Sequence, residues 1–185
     1  MKKNISILLV STITLTLLTG CNIPGRATEI TKIESPDKEE ISEIQSREGL
    51  MLKVSQSNCD EMSRDEDVWV STSYEIMWDG TITRKVNYML SGCIEDESVT
   101  LNEEDYLTVY VFAESTYINE SYSDHLEQGS DGSSWNYVYC PADSDEAVCL
   151  YSGYAYSDEE LRQIQDIVSS YFPDEEYYGP LYSEE

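Results

Sequence analysis

VWVSTSYEIMWDGTITRKVNYML spans residues 68–90 and contains two strands together with the turn that joins them. A two-residue turn at Asp79-Gly80 would mix apolar and polar partners on one face. A three-residue loop, Trp78-Asp79-Gly80, keeps one face apolar and gives the glycine a left-handed position beside a G1 bulge. Because a one-residue slip would turn every side chain to the opposite face, we predict the three-residue loop. The expected partners are Ile76 with Ile82, Thr72 with Val86, Val70 with Tyr88 and Val68 with Leu90.

This register divides the hairpin into an apolar inner face and a polar outer face. Arg84, opposite Tyr74, is the exception on the inner face. Trp69 and Met89 are expected on the outer face, where an uncovered apolar patch would favour contact with a partner. The alternatives are a sheet covered on both faces, or a Trp69 that shields a helix of the N-terminal tether.

Further elements lie on both sides of the hairpin. Alternation of apolar and polar residues from Leu50 to Ser55 predicts a strand. Asn102 fits the N-cap of a helix whose first turn is acidic, and apolar residues then recur at helical spacing as far as Tyr117. The order so far is a strand, a hairpin and a helix.

The same order recurs in the second half of the chain. A second hairpin is expected over 135–140 and 147–156, followed by a helix that begins at the N-cap Ser157 and ends at Pro173. These elements predict an α+β fold, with a mainly antiparallel sheet of about five strands and two helices on one face. The matching helix starts also fit an interpretation as tandem ββα units.

Polar segments outside these elements set the predicted domain limits. We expect a signal peptide over 1–20, an acylated N-terminus and polar tether over 21–48, the globular domain over 49–173 and an acidic, Tyr-rich tail over 174–185. Within the tether, the Ser-Pro pair at 35–36 fits the start of a short helix.

The N-terminus has the parts of a secretory signal. Lys2 and Lys3 precede an apolar run from Ile5 to Leu18. The run is shorter than the roughly 20 apolar residues of a membrane-spanning helix, although an uncleaved membrane helix is the alternative. The run ends in Leu18-Thr19-Gly20-Cys21, which resembles the lipobox of bacterial lipoproteins.

That resemblance implies a lipid anchor. In such lipoproteins the lipobox thiol, here that of Cys21, carries a diacylglyceryl group with fatty acids such as palmitate, and the cysteine becomes the mature N-terminus. Two or more acyl chains hold a protein firmly on a bilayer. The expected location is therefore the cell membrane, lipid-anchored and facing the extracytoplasmic side.

The charge of the chain narrows the choice of partners. It carries 37 acidic and 11 basic residues, a formal net charge of −26, and cleavage of the signal would leave 9 basic residues and a charge of −28. Such a surface repels nucleic acid and anionic lipid head groups. Nucleic-acid binding is not expected, and the membrane is reached through the N-terminal lipid. Simple solubility is the alternative explanation of the charge.

Four cysteines remain beyond the lipobox. An even number in an exported chain favours disulfide bonds, and four cysteines allow three pairings. Cys140 and Cys149 flank a polar turn, so we predict a bond across the second hairpin, which leaves Cys59 to pair with Cys93. A zinc site is the alternative, but CxxC spacing is missing and His125 is the single histidine.

Motif analysis favours no catalytic class. His125 follows Asp124 in a polar loop, without the nucleophile elbow of a Ser-His-Asp enzyme, and no glycine-rich phosphate loop is present. The clusters Asp143–Glu146 and Asp65–Asp67 offer oxygen ligands, but neither has the spacing of an EF-hand. We expect no enzyme activity, no resident cofactor and no metal, with calcium as the alternative to solvated acidic turns.

The leading hypothesis is a non-enzymatic surface module that binds a protein, a peptide or a glycan through its sheet face or Tyr-rich loops. Trp69, Tyr151 and Tyr154 are the candidate ligand-binding residues. A carboxylate-based envelope hydrolase is one alternative, and it needs a cleft with two acids, at least one of which has a raised pKa. An acidic immunity or inhibitor protein that blocks a basic toxin or enzyme is the other, and high salt would weaken its complexes.

Replacement of Cys21 by serine tests the anchor, because the substitution removes the acyl acceptor. The natural protein should enter the detergent phase of a phase separation, and Cys21→Ser should stay in the aqueous phase. Cys93→Ser removes a thiol outside the lipobox and should behave like the natural protein. A natural product that starts at another residue, or that stays in water, would contradict the predicted anchor.

Overall fold

The computed structural model describes residues 31–59, 65–122, 133–154 and 158–172. The described residues form an α+β fold, in which a seven-stranded antiparallel sheet carries helices on one face. The predicted signal peptide and lipobox, Cys21, His125 and the tail over 174–185 lie outside the described residues. Within the described residues, no helix is long and apolar enough to cross a membrane.

Three helices and seven strands occur in the part of the chain that the structure describes. In chain order they are α1 (Lys38–Gln45), β1 (Leu50–Asn58), β2 (Trp69–Met77), β3 (Thr81–Tyr88), β4 (Gly92–Glu95), β5 (Val99–Thr100), α2 (Glu103–Asn119), β6 (Ser133–Tyr139), β7 (Val148–Gly153) and α3 (Glu159–Ser170). The strand order is β4-β3-β2-β1-β6-β7, and β5 also pairs with β3. The two predicted hairpins therefore lie on opposite sides of β1.

The α+β class and the antiparallel sheet are confirmed, but the expected count of about five strands is wrong. The two additional strands, β4 and β5, contain four and two residues. Segments this short do not establish a period in the sequence. Both strands pair with β3 along the edge that does not face β2.

The predicted hairpin register is confirmed over most of its length. Ile76 pairs with Ile82 and Thr72 with Val86, and Gly80 closes the three-residue loop with a φ of +85°. A bulge then inserts Val70, so that Trp69 rather than Val70 pairs with Tyr88. Leu90, the expected partner of Val68, is 60% exposed.

The helix starts follow capping rules, with two corrections. Asn102 caps α2 as predicted, since its side chain accepts from the backbone N–H of Asp105 at 2.9 Å. For α3 the N-cap is Asp158, one residue beyond the predicted Ser157. The N-cap of α1 is Asp37, which forms a capping box with Glu40.

Helix α1 lies within the segment predicted to be a polar tether, yet it packs on the domain. Its Ile41 and Ile44 are buried in the core, and the guanidinium of Arg47 lies 5.0 Å from the ring centre of Trp78. Earlier in the chain, the backbone of Thr31 exchanges two hydrogen bonds with the side chain of Asn119 at the end of α2. Residues from 31 onward are therefore in contact with the domain.

Tyrosines fill much of the core, and their hydroxyls reach polar partners at its margins. The hydroxyl of Tyr106 donates to the carbonyl oxygen of Trp78, and that of Tyr137 donates to the carbonyl oxygen of Leu161, each at 2.8 Å. A buried aromatic ring contributes apolar area, while its hydroxyl must be hydrogen-bonded. The high tyrosine content of the chain is thereby compatible with a packed interior.

Arg84 is the buried cation of the inner face and lies opposite Tyr74, as predicted. It is 3% exposed and stacks on the ring of Phe172. Its Nε is paired with the carboxylate of Asp96, and its Nη1 donates to the Phe172 carbonyl oxygen at 2.9 Å. The side chain thus fastens the end of α3 and the segment after β4 to the same strand.

Alkaline pH should destabilise this tyrosine-rich core. Burial raises the pKa of Tyr106 from 10 to about 12, so between those values the unfolded chain loses the proton while the folded chain keeps it. The free energy of unfolding should fall as pH rises through this window, by at most about 3 kcal/mol from this residue.

Urea unfolding at a series of pH values, followed with tyrosinate absorbance, measures the effect. Tyr106→Phe cannot ionise at this position and should give a shallower loss of stability with pH. A free energy of unfolding that stays constant from pH 9 to pH 12 would contradict the prediction.

Candidate binding surfaces on the sheet and the helices

The outer face of the sheet, on the side away from the helices, is lined mainly by small polar side chains. Strand pairing places them in three rows, which we call together the outer face. The rows are Thr83, Glu75, Lys53, Val138 and Cys149; then Glu95, Lys85, Ser73, Ser55, Asn136 and Ser152; then Cys93, Asn87, Ser71, Ser57 and Ser134. Nine of the sixteen residues in these rows carry a hydroxyl or an amide group.

Charges on the outer face form one connected network. The Nζ of Lys53 lies 3.1 Å from Glu75, and the Nζ of Lys85 lies 2.7 Å from Glu75 and 3.6 Å from Glu95. The hydrogen bond from Lys85 lowers the pKa of the Glu75 carboxyl, and the same bond raises the pKa of Lys85. Two lysines therefore balance two glutamates, and the three rows carry no net charge.

The aromatic residues predicted to form a binding surface do not lie on the outer face. The bulge at Val70 turns Trp69 inward, where it is 7% exposed and donates from Nε1 to the hydroxyl of Thr72. Tyr151 is 4% exposed, and its hydroxyl donates to the carbonyl oxygen of Tyr154. Tyr154 is partly exposed at the end of β7. The expectation of an exposed Trp69 is wrong because sequence alternation does not reveal a bulge.

A groove of about 460 Å³ lies between α2 and α3. We call it the helix groove. Apolar side chains form part of its lining, namely Leu107, Val111, Phe112 and Ile164, and polar groups form the rest, namely Ser35, Thr108, Ser115, Thr116, Ser121 and Gln163. Glu104 and Glu160 complete the lining, and both residues are exposed to solvent.

Two tyrosine–aspartate hydrogen bonds join the ends of α2 and α3. The hydroxyl of Tyr171, just after α3, donates to Asp105 in the first turn of α2 at 2.7 Å. The hydroxyl of Tyr122, just after α2, donates to the α3 cap Asp158 at 3.1 Å. Burial and the neighbouring carboxylates raise the pKa of both tyrosines. The two helices are thus antiparallel and are linked at both ends of the groove.

Most charged side chains of α2 and α3, which together we call the helical layer, are acidic. Helices α2 and α3 contain the acidic residues Glu103, Glu104, Asp105, Glu114, Glu159, Glu160 and Asp166, and one basic residue, Arg162. A second, more polar depression of about 570 Å³ on the same layer is lined by Asp105, Glu159, Asp166 and Arg162, among others. The helical layer is therefore strongly negative, in contrast with the outer face.

The loop acids proposed for calcium have structural partners or lie in an open turn. Asp67 accepts from the backbone N–H groups of Leu90 and Ser91 and from the Ser91 hydroxyl, and these bonds lower the pKa of its carboxyl. The segment Asp143–Glu146 is an exposed turn. In the four described ranges, no group of three or more His, Cys, Asp or Glu is placed to hold a metal ion.

The four cysteines outside the lipobox are free thiols in this structure. Cys149 pairs with Val138, so it is a diagonal neighbour of Cys140 on the same hairpin, and burial raises the pKa of the Cys140 thiol. Cys93 lies in β4, while Cys59 directly follows β1, with β2 and β3 between them. Three strand spacings are about 14 Å, so a Cys59–Cys93 bond would require the sheet to rearrange. Both bonds stay predictions.

The helix groove was not predicted from the sequence. The inward stripe of α2, Tyr106, Val109, Phe112 and Ala113, was recognised and is buried. Leu107 and Val111 fall outside that stripe on the same helix and are partly exposed. The sequence feature that could have indicated the groove is this second apolar stripe beside the first. Its meaning depends on the position of α3, which the sequence does not give.

The comparisons with known proteins point to no ligand for either surface. Comparison with known protein families, curated proteins and solved structures finds no match to the chain. The function must therefore be argued from the outer face and the helix groove.

Proposed function

We propose that this chain is a membrane-anchored extracytoplasmic lipoprotein whose domain is a non-enzymatic binding module for a protein or peptide. The ligand is a short segment held in the helix groove. The single observation that carries the proposal is a partly apolar groove between two antiparallel helices, open to solvent and linked at both ends.

The shape of the groove suits a peptide. From Glu104 to Ser115 helix α2 rises about 16 Å, which is the length of about five residues in extended conformation. The apolar lining offers contacts to side chains such as Leu or Val. The Thr108 hydroxyl donates to the carbonyl oxygen of Glu104 within α2, so its oxygen can accept a hydrogen bond from the backbone of a ligand, and the Ser115 hydroxyl lies about two helical turns further along the groove. A segment of one or two turns of helix would also fit the length, as in other helix-in-groove complexes.

Preorganisation supports the same proposal. The bonds Tyr171–Asp105 and Tyr122–Asp158 fix the spacing of α2 and α3 before any ligand arrives. A preformed site loses less conformational entropy on binding than one that must assemble around its ligand. The groove is therefore suited to hold a partner without a large rearrangement of the domain.

The hydrolase alternative receives less support from the same groove. Glu104 and Glu160 both line it, which provides two carboxylates in one cleft. A glycosidase-type general acid must lie in an apolar environment that favours its protonated form. Both glutamates are exposed to solvent, so neither lies in such an environment.

The outer face supports a second candidate, the binding of an uncharged glycan. Its rows of serine, threonine and asparagine offer many hydrogen bonds and no net charge, on a chain whose formal charge is −26. Aromatic anchors of the kind that dominate protein interfaces do not occur in the three rows. A flat, neutral, hydroxyl-rich polymer is the ligand that such a surface would accept.

Selection from a displayed library of random peptides tests the groove proposal. The immobilised chain should enrich peptides that bind it, and Thr108→Trp or Ser115→Trp should abolish their binding, because a large ring would fill the groove from α2. Both positions are partly exposed, so the substitutions should leave the fold intact, which circular dichroism checks.

Thr83→Trp, which places the same ring on the outer face, is the matched control and should retain the peptides. The proposal fails if no peptide is enriched, or if the enriched peptides bind Thr108→Trp and Ser115→Trp as well as they bind the natural chain.

Affinity electrophoresis in gels that contain a neutral glucan, xylan or mannan tests the glycan candidate. At least one polymer should retard the chain, and the double variant Asn87→Ala, Asn136→Ala should migrate faster in that gel because it lacks two amide groups of the outer face. Gln163→Ala, which removes an amide from the helix groove, should be retarded like the natural chain. Unchanged mobility in all three polymers would refute this candidate.

A further inference from the structure

We infer that the ligand of the helix groove is a basic segment of a partner protein, with Lys or Arg side chains next to apolar ones. This inference rests on the proposed function, and it adds the chemical class of the ligand. It is carried by the position of the acidic residues relative to the apolar lining.

The negative charge of the described domain is uneven, because the outer face is neutral while the helices and several loops are acidic. If the charge served solubility alone, acidic residues would be expected on every exposed surface. The three rows of the outer face instead contain two glutamates, and both are paired with lysines. Helices α2 and α3 carry seven acidic residues and one basic residue, and two of the acidic residues, Glu104 and Glu160, line the groove. Solubility does not require this asymmetry, whereas a basic partner would benefit from it.

The lining of the groove matches the two properties expected of the ligand. Leu107, Val111 and Ile164 provide contacts for apolar side chains. Because the two helices are antiparallel, Glu104 in the first turn of α2 and Glu160 in the first turn of α3 lie towards opposite ends of the groove, so a segment that follows the groove meets one carboxylate near each end. A segment with acidic residues would be repelled by both, and an uncharged one would gain nothing from them.

The negative electrostatic potential of the helical layer would speed the association of a basic partner with the groove. The second depression, lined by Asp105, Glu159 and Asp166, lies on the same layer next to α3. A surface of one sign raises the rate at which an oppositely charged partner arrives, and salt reduces this effect. The outer face, which is neutral, would not compete for the same partner.

Three synthetic peptides serve as probes. They share the same leucine positions and carry Lys, Ser or Glu at the positions between them, and their affinities are measured by fluorescence anisotropy with the full mature chain at physiological salt. The Lys peptide should bind most tightly and the Glu peptide least. The affinity of the Lys peptide should fall as the salt concentration is raised, because exposed charges are screened.

A pair of matched double variants locates the interaction. Glu104→Gln with Glu160→Gln removes the two carboxylates of the groove, whereas Glu103→Gln with Glu159→Gln removes their sequence neighbours and changes the net charge equally. Neither Glu103 nor Glu159 lines the helix groove. The first pair should weaken binding of the Lys peptide by about five- to tenfold and the second pair by less than about twofold.

Each outcome separates the basic-ligand inference from the proposed function. If Thr108→Trp abolishes binding but the two double variants behave alike, the groove binds peptides and the inference of a basic ligand is wrong. If the Lys peptide binds Thr108→Trp as tightly as the natural chain, the groove does not hold it and both proposals fail. Tighter binding after removal of residues 22–34 would identify the N-terminal segment of the same chain as the occupant, and would overturn the inference of a separate partner.

Discussion

The pairing of β2 with β3 is the constraint on which the two faces of the sheet depend. The three-residue loop brings Ile76 opposite Ile82, and Gly80 adopts the left-handed conformation that this loop requires. Its carbonyl oxygen then accepts the N–H of Leu101, just before α2. A shift by one residue would expose the apolar side chains to water and bury the serines of the outer face. The register of β2 with β3 therefore determines which side chains enter the core, which lie on the outer face and where α2 begins.

Much of the fold could be predicted because the hairpin turn and the helix caps are determined by residues close together in the sequence. The choice between two loop lengths followed from the alternation of apolar residues, and Asn102 was recognisable as an N-cap from the acidic turn that follows it. The bulge at Val70 could not be predicted in this way, because an inserted residue does not change the composition of the strand. The burial of Trp69 stabilises the bulge. Helix α1 is a similar case, because its two isoleucines become a core element only against Trp78 and α2.

The helix groove was beyond sequence analysis for a different reason. It is a property of two helices that are far apart in the chain, that pack into one core and that are linked at their ends by two tyrosine hydroxyls. Tyrosine suits this position better than phenylalanine, since its ring packs against the core while its hydroxyl reaches the carboxylate of Asp105 or Asp158. The same residue type that fills the interior thus also links α2 to α3.

Charge and packing together argue for different roles of the two surfaces. A sheet face lined by small side chains can be approached closely by a flat ligand, and its paired lysines and glutamates leave no charge to steer one. The helical layer has the opposite character, because its acidic side chains act at a distance and its apolar lining acts on contact. The helical layer is therefore suited to attract an oppositely charged partner at a distance, and the groove is suited to retain it on contact.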